Sequence, residues 1–480
     1  MRKLICTCIA VWVAAQVPVV AQPIEGEASR HPERRGLNLL NDEQIRKLST
    51  PRKKKPITLD PRKSIFVTDQ EILKLFTFDE LMDRLAHDSG SKAVTRDTLF
   101  EQWWDTANLK ATFNFPFGGP NCDSKLLNTF PYTCPRDEGQ QAIQDPFGGI
   151  APMAYTAIAL SNRFDLTIPP EKGGTDCGEY RIVFERNSGA TNALDRNLII
   201  FEAVLPNPHP HPHSLRGCRA VQDFWEDLSE VSAVERGKRL HEFYYHGLPK
   251  DHVEPVVLAK HYGSSTAKAS GQIRSNQFMA GSGPHGPWLL REFHIVTSAG
   301  SFKIEPVPVA TNPPASLFDE TIPQPLGASF RTDFLNQIAT LANSDIDHIS
   351  MSTAAQFDGG ESLEGPAPSP APMDYKAAFA NSPTFRASIQ GKIPSGSTLT
   401  PDDIVARAQT QTCAGCHHIS INANLGGGLV WPPTITPPGF THEQLAKPET
   451  GPDGLRYQIS DALKNVFLPF RQHVIETFLK

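Results

Sequence analysis

Beyond its first 21 residues the chain has no apolar run approaching the ~18 residues that a membrane-spanning helix needs. The net charge is only −6, so the overall balance makes no case for nucleic acid as a partner. There is no internal repeat, no P-loop and no dinucleotide-binding glycine fingerprint. Ser282 sits in Gly281-Ser282-Gly283-Pro284-His285-Gly286, which lacks the full Gly-x-Ser-x-Gly elbow. No coherent nucleophile, base and oxyanion set is visible, which disfavours a hydrolase. Methionine is scarce, and the last one is Met373. Proline is in excess instead: 42 of 480 residues, against a typical ~5%, which excludes a coiled coil and long uninterrupted helices.

The first 21 residues read as a signal peptide. Arg2 and Lys3 precede an apolar stretch from Leu4 to Ala15, and Val19-Val20-Ala21 offers a small-residue cleavage site. Export predicts a periplasmic or secreted protein in an oxidising compartment. Cys6 and Cys8 leave with the signal, and six cysteines remain: Cys122, Cys134, Cys177, Cys218, Cys413 and Cys416. Residues 22–67 then form a basic linker, with 11 Lys and Arg against 6 Asp and Glu. Its plainest reading is a solvated arm.

Folded structure is expected from about Thr68, where Thr68-Asp69-Gln70-Glu71 matches a capping box. Helices are predicted near 78–87, 96–107, within 220–246, and from Phe330 to Ala342. Runs rich in Ile, Val, Leu and Phe predict strands at Tyr180–Glu185, Asn197–Leu205, Trp288–Val296 and Ser301–Val309. Gly359 to Pro372 reads as a surface loop. Strands and helices mix without clean β-α-β alternation, so the expected class is α+β. The expected division is a body over 68–397 and a C-terminal unit over 398–480.

The strongest chemical signal is Cys413-Ala414-Gly415-Cys416-His417. Cys-x-x-Cys-His is the attachment sequence of c-type haem. The two thiols add to the haem vinyl groups, and the following His donates a ring nitrogen to iron. At this chain's own residue frequencies, about 0.004 chance matches are expected. Thr400 as N-cap, Pro401 at the first helical position and Asp402 and Asp403 in the first turn predict a helix running into Cys413. Leu463, Val466, Phe467, Phe470, Val474 and Phe478 form an apolar stripe, with Pro469 expected to kink or divide that helix.

This layout resembles a small class I cytochrome c over residues 398–480. The resemblance implies a small, mainly helical module holding one covalent haem c. Cys413 and Cys416 would tether it, His417 would ligate iron, and Trp431 would pack nearby. It also implies that the carbonyl of Pro432 or Pro433 holds the second nitrogen of His417. The Met that many such cytochromes use as sixth ligand has no counterpart downstream of the motif. His442 is the leading substitute and His473 the next. An open position and a ligand from the larger body stay as alternatives. His418 adjoins His417 and should not reach the opposite haem face.

With haem attached, four cysteines have three possible pairings, and short local closure favours Cys122–Cys134 and Cys177–Cys218. The competing reading makes Cys413 and Cys416 a disulfide, or a thiol redox pair, in a secreted binding or structural protein without haem. Two weaker features are set aside. His209, His211 and His213 alternate with prolines and read as a solvated loop. His241 and His246 stand five residues apart, about 140° around a helix, and so do not share a metal-binding face. The expected function is that of an exported haem c protein in electron transfer or redox chemistry, with an unidentified redox partner.

Overall fold

The computed structural model describes residues 42–47, 57–103, 125–132, 144–209, 214–263, 270–278, 288–298, 301–364, 372–435 and 439–480. The signal peptide, Cys122 and Cys134, Ser282, and His211 and His213 lie outside the described residues.

The strands, in chain order, are β1 (Phe66–Val67), β2 (Lys125–Leu127), β3 (Phe130–Tyr132), β4 (Tyr155–Arg163), β5 (Asp176–Arg186), β6 (Asn197–Pro206), β7 (Gln272–Phe278), β8 (Trp288–Ser298), β9 (Ser301–Val307), β10 (Ser362–Glu364), β11 (Glu443–Gly451) and β12 (Gly454–Ile459). Eight of them form one antiparallel sheet in the order β1-β4-β5-β6-β7-β8-β10, with β9 also paired to β8. The four strand runs expected from sequence all lie in this sheet. The mixed α and β content expected is present, with helices and strands interspersed along the chain.

Alternation of side chains gives the sheet two different faces. On one, Phe184 and Phe201 meet Phe78 at 5.2 and 6.4 Å, and Trp103 meets Phe201 at 5.4 Å. That face is covered by the helices Phe78–Asp88 and Arg96–Trp103. The other face carries Arg163, Glu179, Arg181, Glu202 and Arg274, and the C-terminal region closes over it.

Several sequence expectations need correction. Residues 57–67 belong to the fold: Leu59, Ile65, Phe66 and Val67 are buried, and β1 pairs with β4. Thr68 caps no helix. Its hydroxyl donates to the Tyr457 carbonyl at 2.8 Å, and the short helix begins at Gln70. Of the expected surface loop Gly359–Pro372, Gly359 to Leu363 is instead buried and β10 pairs with β8, while residues 365–371 lie outside the described residues. The helix expected over Phe330–Ala342 is broken by a 3₁₀ turn at Leu335–Gln337. The disulfide Cys177–Cys218 is formed and ties β5 to the helix Arg219–Asp227.

Residues 398–480 are not a separate, mainly helical unit. They include the hairpin β11–β12, and their apolar residues join one continuous core with the rest. The helix Pro401–Thr410 packs on the helices Ile338–Leu341, Tyr375–Phe379 and Pro383–Gln390. The buried Arg407 guanidinium pins it by donating to the carbonyls of Leu341, Asn343, Leu425 and Gly426. Pro469 does not divide the last helix: a π turn over Leu463–Phe467 precedes it and runs without a break into the helix Leu468–Leu479. That helix packs toward the body, with Phe478 on Phe164 at 4.7 Å and Gln472 donating to Leu59.

The expected cap of the Pro401–Thr410 helix is present in full. Thr400 accepts from the Asp403 amide at 3.2 Å, and Asp403 accepts from the Thr400 amide at 2.8 Å. Thr400→Ala should lower stability by about 1 kcal/mol in urea unfolding. No measurable loss would mean that packing alone fixes this helix.

Candidate functional site

The motif leaves the Pro401–Thr410 helix and enters a π turn at Gly415–Ile419. Such turns widen the helical ladder and recur at functional sites. Gly415 is obligatory here: a Cβ would stand 1.7 Å from the Gln409 carbonyl oxygen. Only glycine lets the chain turn this tightly between the two cysteines.

Cys413 and Cys416 are both free thiols. Together with His417 and His442 they line a cleft of about 1210 Å³, its solvent-open mouth included, between this segment and the charged face of the sheet. Burial pushes the Cys413 thiol up to about 11 and the Cys416 thiol up to about 12. Both are therefore protonated near neutrality, unlike the low-pKa thiolates of redox-active cysteine pairs.

His417 is held from two sides. Its Nδ1 lies 2.8 Å from the Phe440 carbonyl and so carries the proton, which leaves Nε2 with a free lone pair. Trp288 stacks on its ring at 5.3 Å and 25°. Burial brings its pKa down to about 4, against which the Phe440 bond works only in part. The holding carbonyl is thus that of Phe440, not of Pro432 or Pro433. The reason is local backbone: Gly439 and Phe440 both adopt positive φ, 91° and 70°. This is uncommon for a residue like Phe440, and the turn brings its carbonyl to His417.

His442, the leading sixth-ligand candidate, stands beside His417 with ring centroids 5.0 Å apart. Its Nδ1 bonds Ser460 Oγ at 2.8 Å, and its Nε2 lies 3.8 Å from Cys416 Sγ. Burial, and then the neighbouring His417, push its pKa well below the usual histidine range, so it too is neutral. Trp431 is fully buried and donates to the Cys416 carbonyl at 3.3 Å. His473 is exposed on the last helix and is not part of the cleft. His418 stacks on Phe440 at 3.9 Å and pairs with Glu364.

The opposite wall went unread in the sequence. Arg181 pairs with Glu179 at 2.7 Å and with Glu202 at 3.0 Å; Arg274 pairs with Glu202 at 3.1 Å and with Glu292 at 3.0 Å. Arg181 and Glu202 are directly opposed across β5 and β6, as are Arg274 and Glu292 across β7 and β8. The row is therefore a cross-strand charge ladder. Glu179, Glu202 and Glu292 are buried. The legible signal was charge on alternate residues, Glu179 and Arg181, before the apolar run Ile182–Phe184. It ordinarily marks a face turned to water.

Glu443 also lines the cleft. Burial, then the nearby Glu185, raise its pKa to about 7. A carboxyl whose folded pKa is raised contributes most to stability below its unfolded value of ~4.3. That contribution is lost as pH rises to about 7. Glu443→Gln should abolish this slope. The variant should match its parent at pH 4.5 and exceed it by about 3 kcal/mol at pH 8 in urea unfolding. A parent more stable than the variant at pH 8 would show Glu443 working as a paired carboxylate.

Among the described residues no group of three or more His, Cys, Asp and Glu is arranged to hold a bare metal ion, and no helix is long and apolar enough to cross a membrane. Of the other histidines set aside, His241 pairs with Glu80 at 3.0 Å and His209 is exposed. No protein-family model matches the chain, and neither a curated protein nor a solved structure matches it.

Proposed function

We propose that this is an exported c-type haem protein serving electron transfer or redox chemistry, with one haem attached through Cys413 and Cys416. The observation that carries the reading is the set of donors on one cleft wall: two free thiols and a neutral imidazole with Nε2 unprotonated. Five buried polar atoms on the cleft lining also lack a hydrogen-bond partner, namely Ser161 Oγ, Asn276 Nδ2, Thr311 Oγ1, Gln411 Oε1 and Arg471 Nε. Unpaired buried polar groups are costly, so a lining of this kind suits a ligand that brings its own polar edge.

Each thiol would add S–H across a vinyl double bond. Sulfur bonds the inner carbon, the hydrogen goes to the outer one, and nothing leaves. His417 Nε2 would donate to iron, with the Phe440 carbonyl fixing tautomer and ring orientation. Trp288 and Trp431 would keep water from this side. When bound, the haem would supply a one-electron iron couple. If His442 completes the ligation, the potential would lie below that of a His/Met site. Likeness to a class I cytochrome is then local, confined to the capped helix entering the motif and the last helix beside the cleft.

The test is production in a host with haem c maturation, followed by denaturing electrophoresis and a visible spectrum. A band that stays coloured and shows a haem c spectrum supports the reading. A colourless chain with Cys413 and Cys416 joined to each other overturns it in favour of a disulfide-stabilised protein without haem.

A further inference from the structure

Arg471 is a buried cation that the fold neutralises only in part. It lies within the helix Leu468–Leu479, 6% exposed, and lines the cleft beside Cys416 and His442. Its guanidinium makes no hydrogen bond to any described residue, and Nε is among the unpartnered buried atoms. The nearest carboxylate, Asp165, is 3.8 Å away. Both Asp165 oxygens also accept from Arg163, at 2.8 to 3.1 Å, so this one carboxylate is shared by two cations and Arg163 is the closer. Asp347 attracts Arg471 only at longer range. Phe467 lies under the guanidinium at 5.9 Å.

The ladder pairs Glu179, Arg181, Glu202 and Arg274, and Arg163 pairs with Asp165. That leaves Arg471 and the buried Glu443, within electrostatic reach of each other, as the least matched charges on the lining, and Arg163 beside Arg471 adds repulsion. Burial first, and then Arg163, bring the Arg471 pKa down to about 9, so the cation persists at neutral pH against its surroundings. A planar guanidinium with free donors matches the two-oxygen edge of a carboxylate through parallel N–H···O bonds.

We infer that Arg471 is the seat of a carboxylate bound in the cleft, with the unpartnered Thr311 hydroxyl as a further donor on the same lining. This rests in part on the haem reading. The carboxylate can come from a propionate of an attached haem or from a free small carboxylate, and the two sources are separable by experiment.

The probe is acetate, with sodium chloride at equal ionic strength as control, and the readout is the thermal midpoint. The full chain is made both with haem and, in a host lacking haem c maturation, without it. The haem-free chain should gain midpoint with acetate beyond the chloride control. Arg471→Met should weaken that response at least about tenfold, and Arg471→Lys should weaken it less, since the charge stays but the planar fork is lost. In low-anion buffer Arg471→Met should melt no lower than its parent, because it removes a poorly compensated buried charge.

In the haem-loaded chain, loss of the acetate response together with a shifted reduction potential in Arg471→Gln identifies a propionate. A retained, Arg471-dependent response identifies a free carboxylate. The inference is overturned if acetate does no more than chloride in the haem-free chain and Arg471→Gln leaves the loaded protein's potential unchanged. It is equally overturned if Arg471→Met melts lower than its parent without anion, which would make the residue a structural support. Whether haem attaches is read separately from the coloured band. An acetate response without attachment would retain this seat while rejecting the haem reading.

Discussion

A chain in which both Cys413 and Cys416 are replaced by serine should carry no haem through denaturing electrophoresis, while each single replacement should leave at most one covalent link. The effect is complete because a tether is present or absent, with no partial form to fall back on. Cys416 is buried and Cys413 half-buried on the cleft wall, and serine is nearly isosteric with cysteine. The fold should therefore survive, and loss of colour would report chemistry instead of unfolding. His417→Ala separates the two roles further. It should retain covalent haem through the cysteines but lose the spectrum of an imidazole-ligated iron. If the double serine variant kept covalent haem, attachment would lie elsewhere. If His417→Ala kept the parent spectrum, His417 would not be the proximal ligand.

Glu202→Gln should destabilise the protein by roughly 4 kcal/mol, within the ~3–5 kcal/mol typical of breaking a buried ion pair. Glu202 is 1% exposed and is shared by Arg181 and Arg274. One substitution therefore removes a counter-ion from two guanidiniums at once. Each keeps a second carboxylate, Glu179 for Arg181 and Glu292 for Arg274, which is why the loss should stay inside that range. Screening is weak at a buried pair, so 1 M salt should leave the difference nearly intact. Urea unfolding of both proteins at low and high salt measures it. A difference under about 1 kcal/mol, or one that salt erases, would mean that the ladder is hydrated and behaves as a surface network.

What the sequence disclosed follows from how local each signal is. Thr400, Pro401 and Asp403 act within a single helical turn, and the capped helix is where the spacing puts it. Pro469 acts on its own backbone, and the helix takes a π turn just before it instead of breaking. The strand runs at Tyr180 and Asn197 stood out because both faces of those strands hold apolar residues. Strand β7 did not, because Gln272, Arg274 and Asn276 alternate toward the cleft and make the segment look polar. β4 was lost differently, since its alanines at 157 and 159 blur any alternation. The hairpin β11–β12 carried a readable signal in Gly451-Pro452-Asp453-Gly454, turn-forming residues around a two-residue loop, which the helical expectation for this region obscured.

The site divides along the same line. Cys413, Cys416 and His417 are contiguous, so their chemistry is legible from spacing alone. Their partners come from far along the chain. Phe440 reaches His417 through an unusual backbone turn, and Trp288 reaches it from the sheet. Arg471 matters because its one nearby carboxylate is shared with Arg163, which no single-sequence pattern encodes.

The account stands most directly on the mass and spectrum of the one peptide that carries both Cys413 and Cys416, released from protein made with haem c maturation. The predicted result is that peptide plus one haem, absorbing in the visible, with neither cysteine open to alkylation. The contradicting result is a colourless peptide of unmodified mass whose cysteines are both alkylated, or one lighter by two hydrogens through a Cys413–Cys416 bond.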